Sequence, residues 1–138
     1  MKKIFFTLLI TISWFHSFCQ GKIDQASDVE PVYDLEYIQE QPEFPGGDLA
    51  LSQFIKKNIR YPENEKRQKI EGNVYIAFVI HKDGTVMKTE IYKGVEDGPG
   101  LSQEALRIMQ LMPKWKPGML EGKPVKVNYL IPFSFRLD

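Results

Sequence analysis

Among residues 20–138 the side chains able to do polar chemistry are few and far apart. His81 is the one histidine in that stretch, and the chain's single cysteine, Cys19, lies just ahead of it. A zinc site needs three or four ligands at fixed spacings, so His81 beside an Asp-Gly turn completes neither a zinc centre nor a facial triad. It reads as a solvated turn residue. Thiol nucleophiles, iron–sulfur clusters and disulfides are excluded beyond residue 20 by the same count. Glu96 and Asp97 share a loop with Gly94, Gly98 and Gly100. That loop lacks the ligand series of a calcium site and the strand-to-helix spacing of a phosphate cradle. The expectation is a protein with no catalytic residue, no metal and no cofactor.

What remains is the chemistry of the backbone. A strand with a free edge recruits an extended peptide by pairing with it, main-chain bonds giving affinity and side-chain pockets selectivity. The last segment is the candidate, with Lys126, Val127, Asn128, Tyr129, Ile131 and Phe133 as partner-binding residues. Its edge is open unless the segment before the first helix, or the one around Trp115, folds across it. Lys114, Lys116, Lys123 and Lys126 cluster in sequence nearby. They either favour an acidic partner or simply keep an edge soluble and unpaired. Trp115 is either a recognition aromatic or the residue that closes the core under the second helix.

The elements that position this strand follow from periodicity. Pro42-Glu43-Phe44-Pro45-Gly46-Gly47 is a rigid turn. Asp48 is the expected N-cap of a first helix whose buried stripe is Leu51, Phe54, Ile55 and Ile59. Tyr61-Pro62 ends that helix, and 63–69 reads as a charged loop. A strand over 71–80 carries Val74, Ile76, Phe78 and Ile80 on one face, and Asp83-Gly84 turns it into a return strand from Val86 to about Lys93. Met87, Thr89 and Ile91 form one face of that return strand. Ser102 is the expected cap of a second helix with Leu101 as a staple on Leu106, and Ala105, Ile108, Met109 and Met112 as its inner stripe. Glu121-Gly122-Lys123-Pro124 reads as an exposed loop. The final strand alternates Val125, Val127, Tyr129, Ile131, Phe133 and Phe135 with a mostly polar face. Pro132 marks an edge register or a bulge.

The fold class is therefore α+β. Two helices pack on one face of a small three-stranded antiparallel sheet, in the order helix, strand, strand, helix, strand, with an optional short edge strand before the first helix.

The amino terminus sets the compartment. Met1-Lys2-Lys3 and the apolar run from Ile4 form the head and core of an export signal. Three readings stand: cleavage after Cys19, a retained inner-membrane anchor, or lipid attached at Cys19. Residues 1–19 are thus the signal, 20–41 a polar tether and 42–138 the domain. Without Lys2 and Lys3 the chain keeps 16 basic against 18 acidic side chains, a net charge of about −2. That balance argues against nucleic acid as partner.

Taken together, Phe44-Pro45-Gly46-Gly47, Tyr61-Pro62, Gly72 with Val74, Ile76 and Phe78, Asp83-Gly84, and Glu104-Ala105 form an ordered set. Met112-Pro113-Lys114-Trp115-Lys116-Pro117-Gly118, Gly122-Lys123-Pro124-Val125 and Tyr129-Leu130-Ile131-Pro132-Phe133-Ser134-Phe135 complete it. The set resembles the C-terminal domain of the TonB energy-transducer family over about 42–137, in a version common in Bacteroidota. The resemblance implies a non-enzymatic periplasmic domain that binds the amino-terminal box of TonB-dependent outer-membrane transporters by strand addition. It places the pairing strand at about 127–133. Two departures stand out. Family members have an uncleaved anchor and a long proline-rich spacer, whereas 21–43 here reaches at most roughly 75 Å when fully extended. The alternative is a structural or homodimeric module of another envelope assembly.

Overall fold

The structure, a computed structural model, describes residues 30–138. The expected signal, Cys19 and the first part of the tether lie outside the described residues.

Strict alternation dictates the centre of the sheet. Val74, Ile76, Phe78 and Ile80 belong to strand β2 (Gly72–Ile80), and Val127, Ile131, Phe133 and Phe135 to strand β5 (Lys123–Phe135). The two strands pair antiparallel without a break, from Gly72 opposite Phe135 to Ile80 opposite Val127. This register sets the apolar residues of both strands on one face, and all eight are at most 4% exposed. Burying a side chain of this size contributes about 1.5–3 kcal/mol. A slip of one residue would turn the whole set to water, so the register is strongly fixed.

On the other side of β2 runs strand β3 (Val86–Lys93), also antiparallel. Asp83-Gly84 makes the turn as expected: Asp83 Oδ1 accepts the Thr85 N–H at 2.9 Å, and Gly84 has φ +87°. A Cβ on Gly84 would lie 1.9 Å from the Trp115 carbonyl oxygen, so glycine is required for space as well as for φ. The expected face of Met87, Thr89 and Ile91 is broken. Lys88 adopts φ +51° and the ladder shifts register beside it. This bulge leaves Ile91 opposite Ile76 on the core side but puts Met87 opposite Val79 on the other face.

Two short strands complete the sheet, correcting the expected count of three. Strand β1 (Val32–Tyr33) pairs parallel with β5, and strand β4 (Gly118–Leu120) pairs antiparallel with it. The order is β1-β5-β2-β3, with β4 also on β5. The optional strand before the first helix is therefore present. The loop expected at 121–124 is instead a tight hairpin, because Glu121 and Gly122 both take positive φ (+51° and +73°). That pair of angles matches the twist of the flanking strands.

Three helices accompany the sheet. Helix α1 (Gly47–Asn58) starts from Gly46 at φ +89°, ahead of the expected cap. Asp48 sits inside the first turn without a capping bond, where its charge still suits the helix dipole. Leu51, Phe54, Ile55 and Ile59 pack half-buried on the core. Helix α2 (Glu63–Arg67) replaces the expected charged loop, with acids in its first turn and bases in its last. Helix α3 (Pro99–Gln110) starts three residues before the expected cap Ser102, with Pro99 at a first-turn position that suits its fixed φ. The Gly100 N–H is taken at 2.7 Å by the buried carboxylate of Glu65, from α2. Leu101, Ala105, Ile108 and Met109 form its buried stripe.

Glu104 ties the helices together. Its carboxylate accepts from the Arg60 N–H at 2.7 Å and from Arg107, which in turn donates to the Asn58 carbonyl at the end of α1 at 2.6 Å. Burial alone would raise the Glu104 carboxyl, but Arg107 and the Arg60 N–H outweigh it and hold the pKa below its ordinary value.

Candidate partner-binding edge

The final strand is not a simple edge. Its first part is covered by two short strands in succession: β4 pairs with Lys123, Pro124 and Val125, and β1 with Lys126 and Val127. Both segments that would have to fold across the edge do so. From Asn128 to Phe135 no strand pairs with the outer side of β5 among the described residues. This stretch also contains Pro132, opposite Tyr75 in an unshifted register, so the proline marks an edge and not a bulge.

The named residues divide by face. Val127, Ile131 and Phe133 are buried in the core; Ile131 and Phe133 offer a partner only their backbone, and that of Val127 already lies between β1 and β2. Tyr129 is half-buried on the same side; burial raises its phenol pKa, and the Asp48 carboxylate adds to the shift. Lys126 and Asn128 lie toward the helix-free face, and both are already engaged. Glu30 bridges Lys82 and Lys126, the latter at 3.1 Å, and Asn128 Nδ2 donates to Asp34 Oδ1 at 2.9 Å.

Alternation hid an apolar residue on the open face. Leu130 occupies a position expected to be solvated, yet it lines a groove with Val32, Leu35, Val79 and Tyr92. It is 44% exposed. The signal was present in the sequence as an apolar residue on the polar face. Its groove could not be seen, because Val32 and Leu35 come from far along the chain.

Trp115 supports this edge from beneath. It is 3% exposed and meets Phe44, Phe78 and Tyr129 edge-on at 5.3–5.7 Å between ring centroids. Its backbone N–H donates to the Gly84 carbonyl at 2.9 Å. Of the two readings of Trp115, core closure is the one realised. Its Nε1 is buried without a hydrogen-bond partner among the described residues. The neighbouring lysines face carboxylates of this same chain: Lys114 lies 4.0 Å from Asp83 and Lys116 3.9 Å from Glu40. Such exposed pairs contribute little to stability, but they reduce the positive field offered to an outside acid.

His81 lies at the β2–β3 turn with its ring 3.2 Å from Asp83. No group of three metal-ligating side chains is found among the described residues. Nor is any described helix long and apolar enough to cross a membrane.

The family described as Gram-negative bacterial TonB protein C-terminal matches residues 57–137, more than half of the chain. The chain belongs to the TonB C-terminal family. Two solved structures can be set beside this TonB C-terminal domain. The Helicobacter pylori TonB C-terminal domain is 25% identical, with a TM-score of 0.44, over 65% of this chain and 81% of that one. The Pseudomonas aeruginosa TonB C-terminal domain is 20% identical, with a TM-score of 0.45, over 77% and 94%. No curated protein sequence matches. The matched span of this TonB domain takes in β5 whole but begins after β1 and most of α1.

Proposed function

We propose that this TonB C-terminal domain is a non-enzymatic periplasmic binding module. It takes the amino-terminal box of a TonB-dependent outer-membrane transporter as an added strand on the open half of β5. The family is known for interacting with outer-membrane transporters, and the coarse assignment rests on membership. The binding mode rests on one observation. β5 is held in one register by its unbroken ladder with β2 while its outer side from Asn128 to Phe135 is left without a strand among the described residues. An extended segment there would gain main-chain bonds, and alternate side chains would enter the groove beside Leu130.

The test is an amide-shift titration of the purified protein with a transporter-box peptide. Shifts are expected at the amides of 127–131, 133 and 134 and at groove residues such as Ala77. Shifts confined to α1 or β3 would sink the strand-addition reading. A second copy of the chain would use the same edge. It would be recognised as peptide-independent, concentration-dependent shifts at the same amides.

A further inference from the structure

The open half of β5 begins where β1 stops, and β1 sits there as a parallel strand, Val32 opposite Lys126 and Tyr33 opposite Val127. We infer that residues 30–38 are a resident competitor for the partner-binding edge: they hold β5 at Lys126 and Val127, directly before the open stretch, and part of its groove, until an extended partner reaching those positions displaces them. This rests on the proposed binding mode and adds a regulation to it.

Three features carry the inference. First, the segment abuts the open stretch and enters its groove. Its backbone takes the β5 edge at Lys126 and Val127, while Val32 and Leu35 line the same groove as Leu130. Second, its hold is weak. The paired strand is two residues long, and the chain then turns away through a short 3-10 turn at Leu35–Tyr37. Beyond the ladder and the groove contacts of Val32 and Leu35, its side-chain ties are the partly exposed ion pairs of Glu30 with Lys82 and Lys126 and the exposed Asp34–Asn128 hydrogen bond. Pairs of this kind are individually weak and screened by salt. Segments so held open locally long before the domain unfolds.

Third, the segment has a firm base. Met119 exchanges backbone bonds with Gln39 and Glu40 at 2.9–3.1 Å, Glu43 pairs with Lys116 at 2.8 and 3.0 Å, and Gln39 Oε1 accepts the Glu121 N–H at 2.8 Å. Residues 30–38 can therefore leave while 39–43 stays clamped. A tethered competitor of this kind acts at high effective concentration and lowers apparent partner affinity by the fraction of time it is docked. It also lies outside the span matched by the family, so the device belongs to this chain's own extension.

Two designs test it, in a Cys19→Ser background. The first joins β1 to β5 through Val32→Cys with Lys126→Cys, which face each other as register partners. The transporter-box peptide should bind the oxidised protein at least about tenfold more weakly than the reduced one, with reductant restoring affinity. Equal affinity in both forms overturns the inference and leaves the binding mode standing. The second design disables the segment with Glu30→Lys and Tyr33→Pro, and titrates a peptide of this chain's residues 29–38. That peptide should bind the variant with shifts at Lys126 and Val127, and bind the wild type far more weakly. No binding to the variant overturns the inference. If the variant binds its own segment but no transporter-box peptide, the competitor stands and the transporter reading falls.

Discussion

The two outer edges of the sheet are built on opposite plans. Along β3 the ladder shifts register twice, Lys88 is forced to φ +51°, and Lys88, Glu90 and Lys93 put charge on the strand. These are the devices by which an edge refuses a further strand. Along β5 the ladder never shifts, and from Val127 to Phe135 there is no charged side chain. What limits pairing there is a short strand of the chain itself, together with one proline. The two edges are therefore guarded to different degrees: β3 is distorted and charged along its length, whereas β5 is guarded only by short covering strands and one proline.

The largest disturbance would erase the contrast. Trp115 touches β2 through Phe78 and β5 through Tyr129, and bonds to the β2–β3 turn at Gly84. Trp115→Ala is expected to cost about 3–5 kcal/mol, read as a lowered urea midpoint. An unchanged midpoint with lost peptide binding would instead make the ring a recognition residue.

A sharper comparison uses a matched pair. Leu130 on β5 and Ile91 on β3 are each 44% exposed. Replacing either by lysine should cost similar stability, on the order of 1 kcal/mol. Leu130→Lys should weaken transporter-box peptide binding about tenfold, roughly 1.4 kcal/mol, and Ile91→Lys should leave it unchanged. Titration calorimetry of both variants decides the matter, and equal losses would remove the distinction between the edges.

The smallest effect concerns acid. Hydrogen bonds from the Thr85 backbone and side chain, then from His81, bring the Asp83 carboxyl down from 3.8 to about 2. A carboxyl lowered on folding gives stability that is present above its unfolded value and lost as pH falls through the folded one. The β2–β3 hairpin should therefore loosen between about pH 4 and 2. Asp83→Asn should flatten the pH dependence of the urea midpoint across that window. The open half of β5 carries no carboxylate of its own, so its amides should report the change only through β2.

The sequence made the long elements legible because they are periodic over several turns or pleats. β2, β5, and the stripes on α1 and α3 appear where alternation and helical spacing put them. The misses share a cause. α2 is too short to show a period, and β1 and β4 are strands only because β5 lies beside them. Asp48 and Ser102 have the local chemistry of caps, whereas the chain enters its helices earlier, through left-handed Gly46 and through Pro99. Met87 changed face because one residue, Lys88, absorbed a bulge. At the candidate site, the long last strand is legible from its alternation. Which side of it is already covered is not, since that depends on residues almost a hundred positions away.

The dry surroundings of Trp115 give the protein an optical reporter. Its indole is enclosed by three aromatic rings and its Nε1 has no hydrogen-bond partner. Its emission should therefore be blue-shifted in the folded state and move to the red when water reaches the ring. The chain's other tryptophan, Trp14, lies in the expected export signal. In protein cleaved after Cys19 the fluorescence comes from this one residue. Because the ring touches Tyr129 directly, a partner strand that shifts β5 should register as a change in colour without any added label.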